Sequence, residues 1–228
     1  MARFVSGGSL SQFQNFNREV YGLPDDRLFS LSDLLSNQER FAMRALKGIR
    51  KGDTEKLKSN LLISFSWLTA IAGRLHIDME EVIWKRFPFV CSYCGKQPCS
   101  CKKIKLASRR KLAVKSSLKP KSLAGFQKMF SLVYPADSRT LFEAGVHLAE
   151  EIGELNEVIH FFSGEHKAKY FEEIKKEIAD VVSCFFSVAN SAKIDIAAGL
   201  AKMYGNNCHV CHKAPCVCNF SFVAKFES

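Results

Sequence analysis

Proline and glycine are scarce in this sequence, and so is the alternation of apolar and polar residues that marks β-strands. The 228 residues include 6 prolines and 13 glycines, and few of them fall inside segments with helical periodicity. Because proline and glycine interrupt helices, their scarcity favours long uninterrupted ones. Apolar residues make up 47% of the chain, which is enough for a buried core. We therefore predict an all-α fold of one or two domains.

A long hydrophobic run is also missing. The longest such run, residues 61–73, has thirteen residues and contains two serines, whereas a helix that spans a bilayer needs about 20. The first residues, Met1 to Phe4, lack the apolar stretch that follows the charge in a secretory signal peptide. We therefore expect a cytoplasmic protein that has no membrane partner.

Acidic residues are absent from the segment between Lys102 and Lys121, which contains nine basic residues. Residues 1–120 carry 22 basic and 10 acidic side chains, a net charge of +12, and residues 121–228 carry 11 and 13, a net charge of −2. The segment separates two periodic regions, so we predict a basic linker over residues 102–120. It is either a solvated connector or a site that binds nucleic acid or an anionic substrate by releasing counterions.

Eight of the nine cysteines form two copies of the motif C-x2-C-x4-C-x-C, 117 residues apart. Four thiolates at these spacings can complete a tetrahedral Zn²⁺ site with no open position, so we predict two structural Zn²⁺ ions. Disulfides are disfavoured without a secretory signal, and an iron–sulfur cluster is the other alternative. The ninth cysteine, Cys184, lies in an apolar helix and is predicted to be a core residue. The predicted zinc ligands are Cys91, Cys94, Cys99 and Cys101, followed by Cys208, Cys211, Cys216 and Cys218.

The cysteine motifs belong to a longer internal repeat. Upstream of them the two halves align at an offset of 113, which pairs Tyr21 with Tyr134. Each half is therefore predicted to form four helices that end in a small zinc knuckle. The predicted domains are residues 1–101 and 121–228, joined by the linker at 102–120. In the second half we expect helices at 121–134, 138–162, 166–192 and 196–204.

Two acidic clusters distinguish the second half. Residues i, i+3 and i+4 share a helix face, so Glu150, Glu151 and Glu154 cluster on one helix, and Glu177 and Asp180 cluster on the next. Apolar stripes accompany both clusters, so antiparallel packing would bring five carboxylates to one seam. Carboxylates that close cannot all stay ionised without a cation, and oxygen ligands suit Mg²⁺ or Mn²⁺. The alternative is a pair of ordinary solvated helix faces.

The first half has none of these five acids. Amide and apolar side chains stand at the aligned positions, and they cannot supply the negative charge that a divalent cation needs. We therefore predict a catalytic second half and a degenerate first half. The five aligned residues are Asn37, Gln38, Phe41, Asn60 and Ile63.

In these residues the second half resembles the MazG-like all-α nucleoside triphosphate pyrophosphohydrolase superfamily. The signature E-E-x-x-E followed by E-x-x-D is present as Glu150 to Glu154 and Glu177 to Asp180. The resemblance covers about residues 121–204, and about 9–88 as a worn copy. It implies Mg²⁺-dependent hydrolysis of nucleoside triphosphates to monophosphate and pyrophosphate by dimers. The first half would then replace the second subunit as a pseudo-dimer within one chain, and further homodimerisation stays possible.

The resemblance also implies roles for individual residues. Glu151 would be both a ligand and part of the catalytic set, whereas Glu150 would be either a further ligand or the base that activates water. Three substrate-binding residues are expected with plainer alternatives: Asn190, Lys202, which is otherwise a surface lysine, and Phe126, which is otherwise a core residue. The implied Mg²⁺ ligands are Glu151, Glu154, Glu177 and Asp180.

Two other functions remain open. One is a regulatory module that binds nucleotide or nucleic acid through the basic linker and the zinc knuckles, without catalysis. The other is a related reaction of the same superfamily, such as hydrolysis of dUTP or of a phosphoribosyl-nucleotide.

Overall fold

The computed structural model describes residues 3–104 and 107–227. Five residues lie outside the described ranges: Met1 and Ala2, which belong to the segment considered above for a signal peptide, Lys105 and Leu106 of the predicted linker, and Ser228. The described residues form helices and no β-strand, which confirms the all-α prediction. The α-helices are α1 (Leu10–Asn17), α2 (Leu23–Leu28), α3 (Leu31–Lys51), α4 (Thr54–Arg74), α5 (Met79–Arg86), α6 (Leu123–Val133), α7 (Leu141–Glu165), α8 (Ala168–Ser191), α9 (Ile196–Met203) and α10 (Phe220–Lys225).

The four helices expected in the second half are α6 to α9, and their bounds differ from the prediction by a few residues. Helix α7 begins three residues later than predicted because Thr140 and Glu143 form a capping box. The helix ends at Glu165, because His166 adopts a left-handed conformation with φ of 51°. Helix periodicity locates the elements, whereas local capping interactions set their ends.

The described chain divides into two compact units. Unit 1 consists of residues 1–79 and 194–228, and unit 2 consists of residues 80–193. Each unit contains parts of both sequence halves: α5 and the first cysteine motif belong to unit 2 apart from Met79, and α9 and the second motif belong to unit 1. The predicted domain boundaries follow the sequence repeat, whereas the boundaries of the units follow the contacts.

Unit 1 is built on the hairpin of α3 and α4, which α1 and α9 contact along α4. The tight turn of this hairpin needs Gly52, whose φ of 66° disfavours any residue with a Cβ. Aromatic rings fill the core, and the centre of the Phe13 ring lies 6.0 Å from the ring centres of both Phe65 and Tyr204. Because Tyr204 immediately follows α9, the C-terminal part of the chain completes this core.

Unit 2 is built on the hairpin of α7 and α8, with α6 against α8. The rings of Phe130 and Phe186 stack at 5.3 Å, and Phe87, which follows α5, meets Phe130 edge-on at 5.1 Å. Cys184 is buried at 2% exposure, which confirms its predicted place in the core.

Within residues 3–104 and 107–227, no single helix is long and apolar enough to cross a membrane. One pair of consecutive helices, α8 with α9, meets the length and composition criteria only when the two are joined across their break.

Candidate active site and zinc knuckles

Three of the five predicted acids converge within unit 2. Glu151 of α7 and Glu177 and Asp180 of α8 each present a carboxylate oxygen within 4.8 Å of the other two. The α7–α8 hairpin brings them together, because each lies on the face of its helix that is turned towards the other helix. Asp180 is 9% exposed, so the cluster lies at the edge of the core rather than on a solvated surface.

The other two acids lie further out. Glu154 is exposed, yet partial burial and the nearby charges of Glu151 and Asp180 raise its pKa. It therefore lies at the rim of the cluster. Glu150 is exposed and outside the group of three.

The acid cluster has the character of a cation site. Among the described residues, the Oε2 atoms of Glu151 and Glu177 are buried and have no hydrogen-bond partner. Burial and the adjoining charges of Asp180 and Glu151 raise the pKa of Glu177 to about 7. Buried carboxylate oxygens without donors are costly, and a divalent cation with oxygen ligands would satisfy them. Glu151, Glu177 and Asp180 could therefore hold a metal ion.

An arginine that the sequence did not suggest contacts this cluster. Arg86, the last residue of α5, donates to both carboxylate oxygens of Asp180, from Nε at 3.1 Å and from Nη2 at 2.5 Å. Burial disfavours its charge, but Asp180, Glu177 and Glu151 hold the pKa of Arg86 above its ordinary value.

A signal for Arg86 was nevertheless present in the repeat. At the offset of 117, Arg86 aligns with Met203, the last residue of α9. The unit that has the acids thus contains the arginine, and the unit that has their neutral counterparts contains the methionine. The first half thus has a positive charge where the second half has a neutral residue, and the second half has negative charges where the first half has neutral residues.

A histidine connects Glu151 to a second arginine. His147 Nε2 lies 3.0 Å from Glu151 Oε1, and His147 Nδ1 lies 3.0 Å from Arg139 Nη1. Because a guanidinium can only donate, Nδ1 is the acceptor and Nε2 carries the proton that is donated to Glu151. His147 therefore fixes the orientation of Glu151. Cys184 completes a further close group with these two residues, but Arg139 against Nδ1 disfavours a cation there.

A cavity of about 220 Å³ lies beside the acid cluster, within unit 2. Its lining combines the carboxylates with basic and aromatic side chains, so it offers groups of both charges to a ligand. The lining includes Glu151, Asp180, Tyr93, Arg109, Tyr134 and Arg139.

The corresponding region of unit 1 is apolar. Phe41 and Ile63, which align with Glu154 and Asp180, line a cavity that is rich in aromatic side chains. Helix α10 covers this cavity, and Arg40 donates hydrogen bonds to the backbone carbonyls of Val223 and Ala224. The described residues of this region contain no acid cluster, as the neutral side chains require.

Each cysteine motif gathers its four sulfur atoms within 4.8 Å of one another. In the first knuckle (residues 91–101), Cys91 and Cys101 Sγ are 3.7 Å apart and Cys94 and Cys99 Sγ are 3.9 Å apart; the equivalent pairs of the second knuckle (residues 208–218) are 4.0 and 3.7 Å apart. A tetrahedral zinc site with Zn–S bonds of about 2.3 Å needs sulfurs about 3.8 Å apart. All eight thiols are free, so both knuckles could hold zinc.

Backbone donors favour the thiolate form of Cys94, whereas burial raises the pKa of the thiols of Cys99 and Cys101 in the same knuckle. Burial opposes ionisation of Cys94, but the backbone N–H groups of Ser100 and Lys96 lower the pKa of its thiol to about 6. Thiolates are the form that ligates metal. In the second knuckle, the close group consists of the four cysteines, and the ring of the neighbouring His209 packs edge-on against Tyr204 with 5.4 Å between the ring centres.

Part of the basic linker packs on the first knuckle. The backbone N–H of Arg110 donates to the carbonyl of Tyr93 at 3.1 Å. A Cβ at Gly95, where φ is 66°, would lie 3.1 Å from Leu112, so glycine serves both the turn and the close approach of the linker. Lys119 pairs with Glu80 at 3.3 Å. These contacts show that the segment is not a freely solvated connector along its whole length.

The three residues expected to bind substrate have different surroundings. Phe126 is fully buried in the core of unit 2. Asn190 accepts a hydrogen bond from the side chain of Gln127 at 3.0 Å. Lys202 is exposed and belongs to unit 1, whereas the five acids belong to unit 2. Their roles in binding stay predictions.

The raised pKa of Glu177 gives a testable dependence of stability on pH. The folded state holds this proton up to about pH 7, above the ordinary pKa of 4.5. Stability of the metal-free protein should therefore fall as pH rises from about 4.5 to about 7. We expect this group to contribute a loss of about 1–2 kcal/mol, after allowing for its partial exposure. Mg²⁺ should recover that loss at pH 8 and have little effect at pH 5.

Thermal melts at both pH values, with and without Mg²⁺, check this expectation. Glu177→Gln should remove the part of the pH dependence that Mg²⁺ recovers, whereas Glu157→Gln, at an exposed position on α7, should keep it. Burial raises the pKa of Asp25 in unit 1 to about 7 as well, so some pH dependence should remain in both variants. Equal Mg²⁺ effects in the wild type and Glu177→Gln would contradict the expectation.

Comparison of the chain with protein family models, with curated proteins and with solved structures finds no match.

Proposed function

We propose that unit 2 hydrolyses nucleoside triphosphates to a monophosphate and pyrophosphate, with Mg²⁺ or Mn²⁺ bound by its acid cluster. The convergence of Glu151, Glu177 and Asp180, with two buried oxygens that lack partners, carries the proposal. The cavity beside these acids contains arginine side chains, which suit a polyanionic ligand. The signature of the MazG-like superfamily in the same residues supports this reaction over other uses of a metal.

The position of each acid would determine its role in the reaction. Glu151, Glu177 and Asp180 would hold the cation, which supplies charge neutralisation to the phosphate oxygens. Glu154 at the rim is suited to accept a proton from the attacking water, because its pKa is raised and it lies near the cluster. Glu150, which is exposed, is the alternative base. His147 would keep Glu151 in its binding orientation through the 3.0 Å contact.

The first sequence half would serve this site without its own chemistry. It contributes Arg86 and the first knuckle to unit 2. Zinc in both knuckles would be structural, since four sulfur ligands leave no open position. One chain would thus contain one catalytic site, in keeping with a pseudo-dimer formed by duplication, and homodimerisation of the whole chain would not be required for catalysis.

Product analysis tests the reaction. The protein is incubated with a panel of ribo- and deoxyribonucleoside triphosphates and Mg²⁺, and the products are separated by ion-exchange chromatography. We expect monophosphate and pyrophosphate, with turnover lost in Asp180→Asn and retained in Glu157→Gln. Release of diphosphate and phosphate, or equal rates for the wild type and Asp180→Asn, would refute the proposal. Absence of turnover with every nucleotide would favour the binding module instead.

A further inference from the structure

The outer wall of the cavity in unit 2 comes from the first knuckle and from the linker that follows it. Tyr93, between the first two cysteines of the knuckle, and Arg109 of the linker both line the cavity that Glu151 and Asp180 also line. The guanidinium carbon of Arg109 lies 5.8 Å from the centre of the Tyr93 ring, within the range of a cation–π interaction. The adjacent hydrogen bond from the Arg110 backbone to Tyr93 holds this part of the linker in place.

A second arginine faces the same cavity. Arg139 lies with its guanidinium carbon 5.9 Å from the centre of the Tyr134 ring and donates to His147. The cavity therefore has two guanidinium groups, each beside a tyrosine, and two carboxylates of the acid cluster, those of Glu151 and Asp180. A cation on the acids and guanidinium groups along the wall together match a chain of phosphates, because guanidinium groups bind phosphate oxygens in a bidentate manner.

The neighbouring arginine of the linker has different surroundings. Arg110 lines another cavity, formed with Pro88, Val90 and Gln97. Arg109 and Arg110 are both exposed and carry the same charge, so they differ in position relative to the acid cluster rather than in chemistry. Comparing variants of these two arginines therefore distinguishes a specific contact with the ligand from general attraction to a basic segment.

We propose that the first knuckle and its linker are part of the ligand site, with Arg109 and Arg139 binding the phosphate chain of a nucleoside triphosphate. This inference rests on the proposed function, because it takes the substrate from there. Tyr93 positions Arg109, and the four cysteines position Tyr93. The basic linker thereby acts at the site through one residue, and loss of metal from the first knuckle would weaken nucleotide binding as well as local stability.

Binding of an uncleavable ligand tests the inference separately from catalysis. The intact protein is titrated calorimetrically with an α,β-methylene nucleoside triphosphate in the presence of Mg²⁺, and in parallel with inorganic tripolyphosphate. We expect Arg109→Ala and Arg139→Ala each to weaken binding of both probes about tenfold, as for loss of a charged hydrogen bond. Arg110→Ala should change binding less than twofold, and circular dichroism should show equal helix content in all variants.

Each outcome decides the matter. Equal effects of Arg109→Ala and Arg110→Ala would show general electrostatic attraction and overturn the inference. If Arg109→Ala weakened binding of the methylene analogue but not of tripolyphosphate, Arg109 would contact the nucleoside. That result would overturn its assignment to the phosphates. Absence of any binding by the wild type would overturn it too. If binding depends on Arg109 but no pyrophosphate is released, the inference stands and the proposed reaction is refuted. If the wild type turns over nucleotide and Arg109→Ala binds the probes as tightly as the wild type, the reaction stands and the inference is refuted.

Discussion

Replacing Arg86 with alanine is expected to destabilise unit 2 by about 3 kcal/mol at pH 8 in the absence of Mg²⁺. The side chains of Arg86 and Asp180 are only 15% and 12% exposed and form a two-pronged ion pair. Removal of one partner from a buried pair leaves the other charge without compensation, which typically costs about 3–5 kcal/mol. Glu151 and Glu177 enlarge the loss because their charges also interact with that of Arg86. The free energy can be measured by hydrogen exchange of the protected amides in α8.

Two controls make this expectation specific. Lys85→Ala removes the adjacent charge, whose pair with Glu81 is 3.5 Å long and exposed, and should cost at most about 0.5 kcal/mol. The double variant Arg86→Ala with Asp180→Asn should recover part of the loss, because the amide carries no unpaired charge. Mg²⁺ should also recover part of it in Arg86→Ala. If the free energy of unfolding of Arg86→Ala lay within about 0.5 kcal/mol of the wild-type value, the ion pair of Arg86 and Asp180 would not stabilise unit 2 as expected.

A fragment of residues 80–193 is expected to fold by itself, whereas the sequence repeat, residues 121–228, is not. The first fragment contains every element of unit 2, including Phe87 and the first knuckle. The second lacks Phe87, whose ring contacts Phe130 at 5.1 Å and Tyr134 at 6.2 Å. It also contains α9 without the α4 surface that α9 contacts. Loss of one buried aromatic side chain alone costs about 3–5 kcal/mol, and this fragment loses several packing partners together.

Thermal unfolding by circular dichroism distinguishes the two fragments. Residues 80–193 with one equivalent of Zn²⁺ should unfold in a single cooperative transition, and residues 121–228 should unfold without one. Mixing 121–228 with 1–120 should restore cooperative unfolding, because together they supply both units. Equally cooperative unfolding of the isolated repeat would show that the packing of α5 and α9 is not needed for the hairpins to fold.

Much of the fold follows from local patterns in the sequence. Helical periodicity located α6 to α9, and the repeated spacing located both knuckles, because a helix and a cysteine cluster each depend on neighbours that are close in sequence. The packing partners of α5 and α9 were not predictable in the same way. Both helices end corresponding halves of a repeat and bury apolar residues at aligned positions, Met79 with Ile196 and Ile83 with Leu200. Amphipathicity alone therefore does not indicate which hairpin each helix contacts.

The acid cluster shows the same limit. The spacing of Glu177 and Asp180 placed both on one helix face, and the structure brings them to Glu151. The partner Arg86 is 94 residues from Asp180 in sequence, and an isolated arginine at the end of a helix carries no recognisable pattern. Only the comparison of Arg86 with Met203 between the two halves contains that information, and it becomes interpretable once the contacts of α5 are known.

The division of unit 1 into two stretches of chain has a consequence for synthesis on the ribosome. All of unit 2 has been translated once residue 193 is added, while unit 1 still lacks residues 194–228. During translation of residues 80–193, which takes about 10 s at roughly 10 residues per second, the face of α4 that later receives α9 has no partner. Leu62, which lies 2.8 Å from the position of a Cβ on Gly199 in the finished protein, belongs to that face. The nascent chain should therefore fold its second unit first and present the first to chaperones until the final segment arrives.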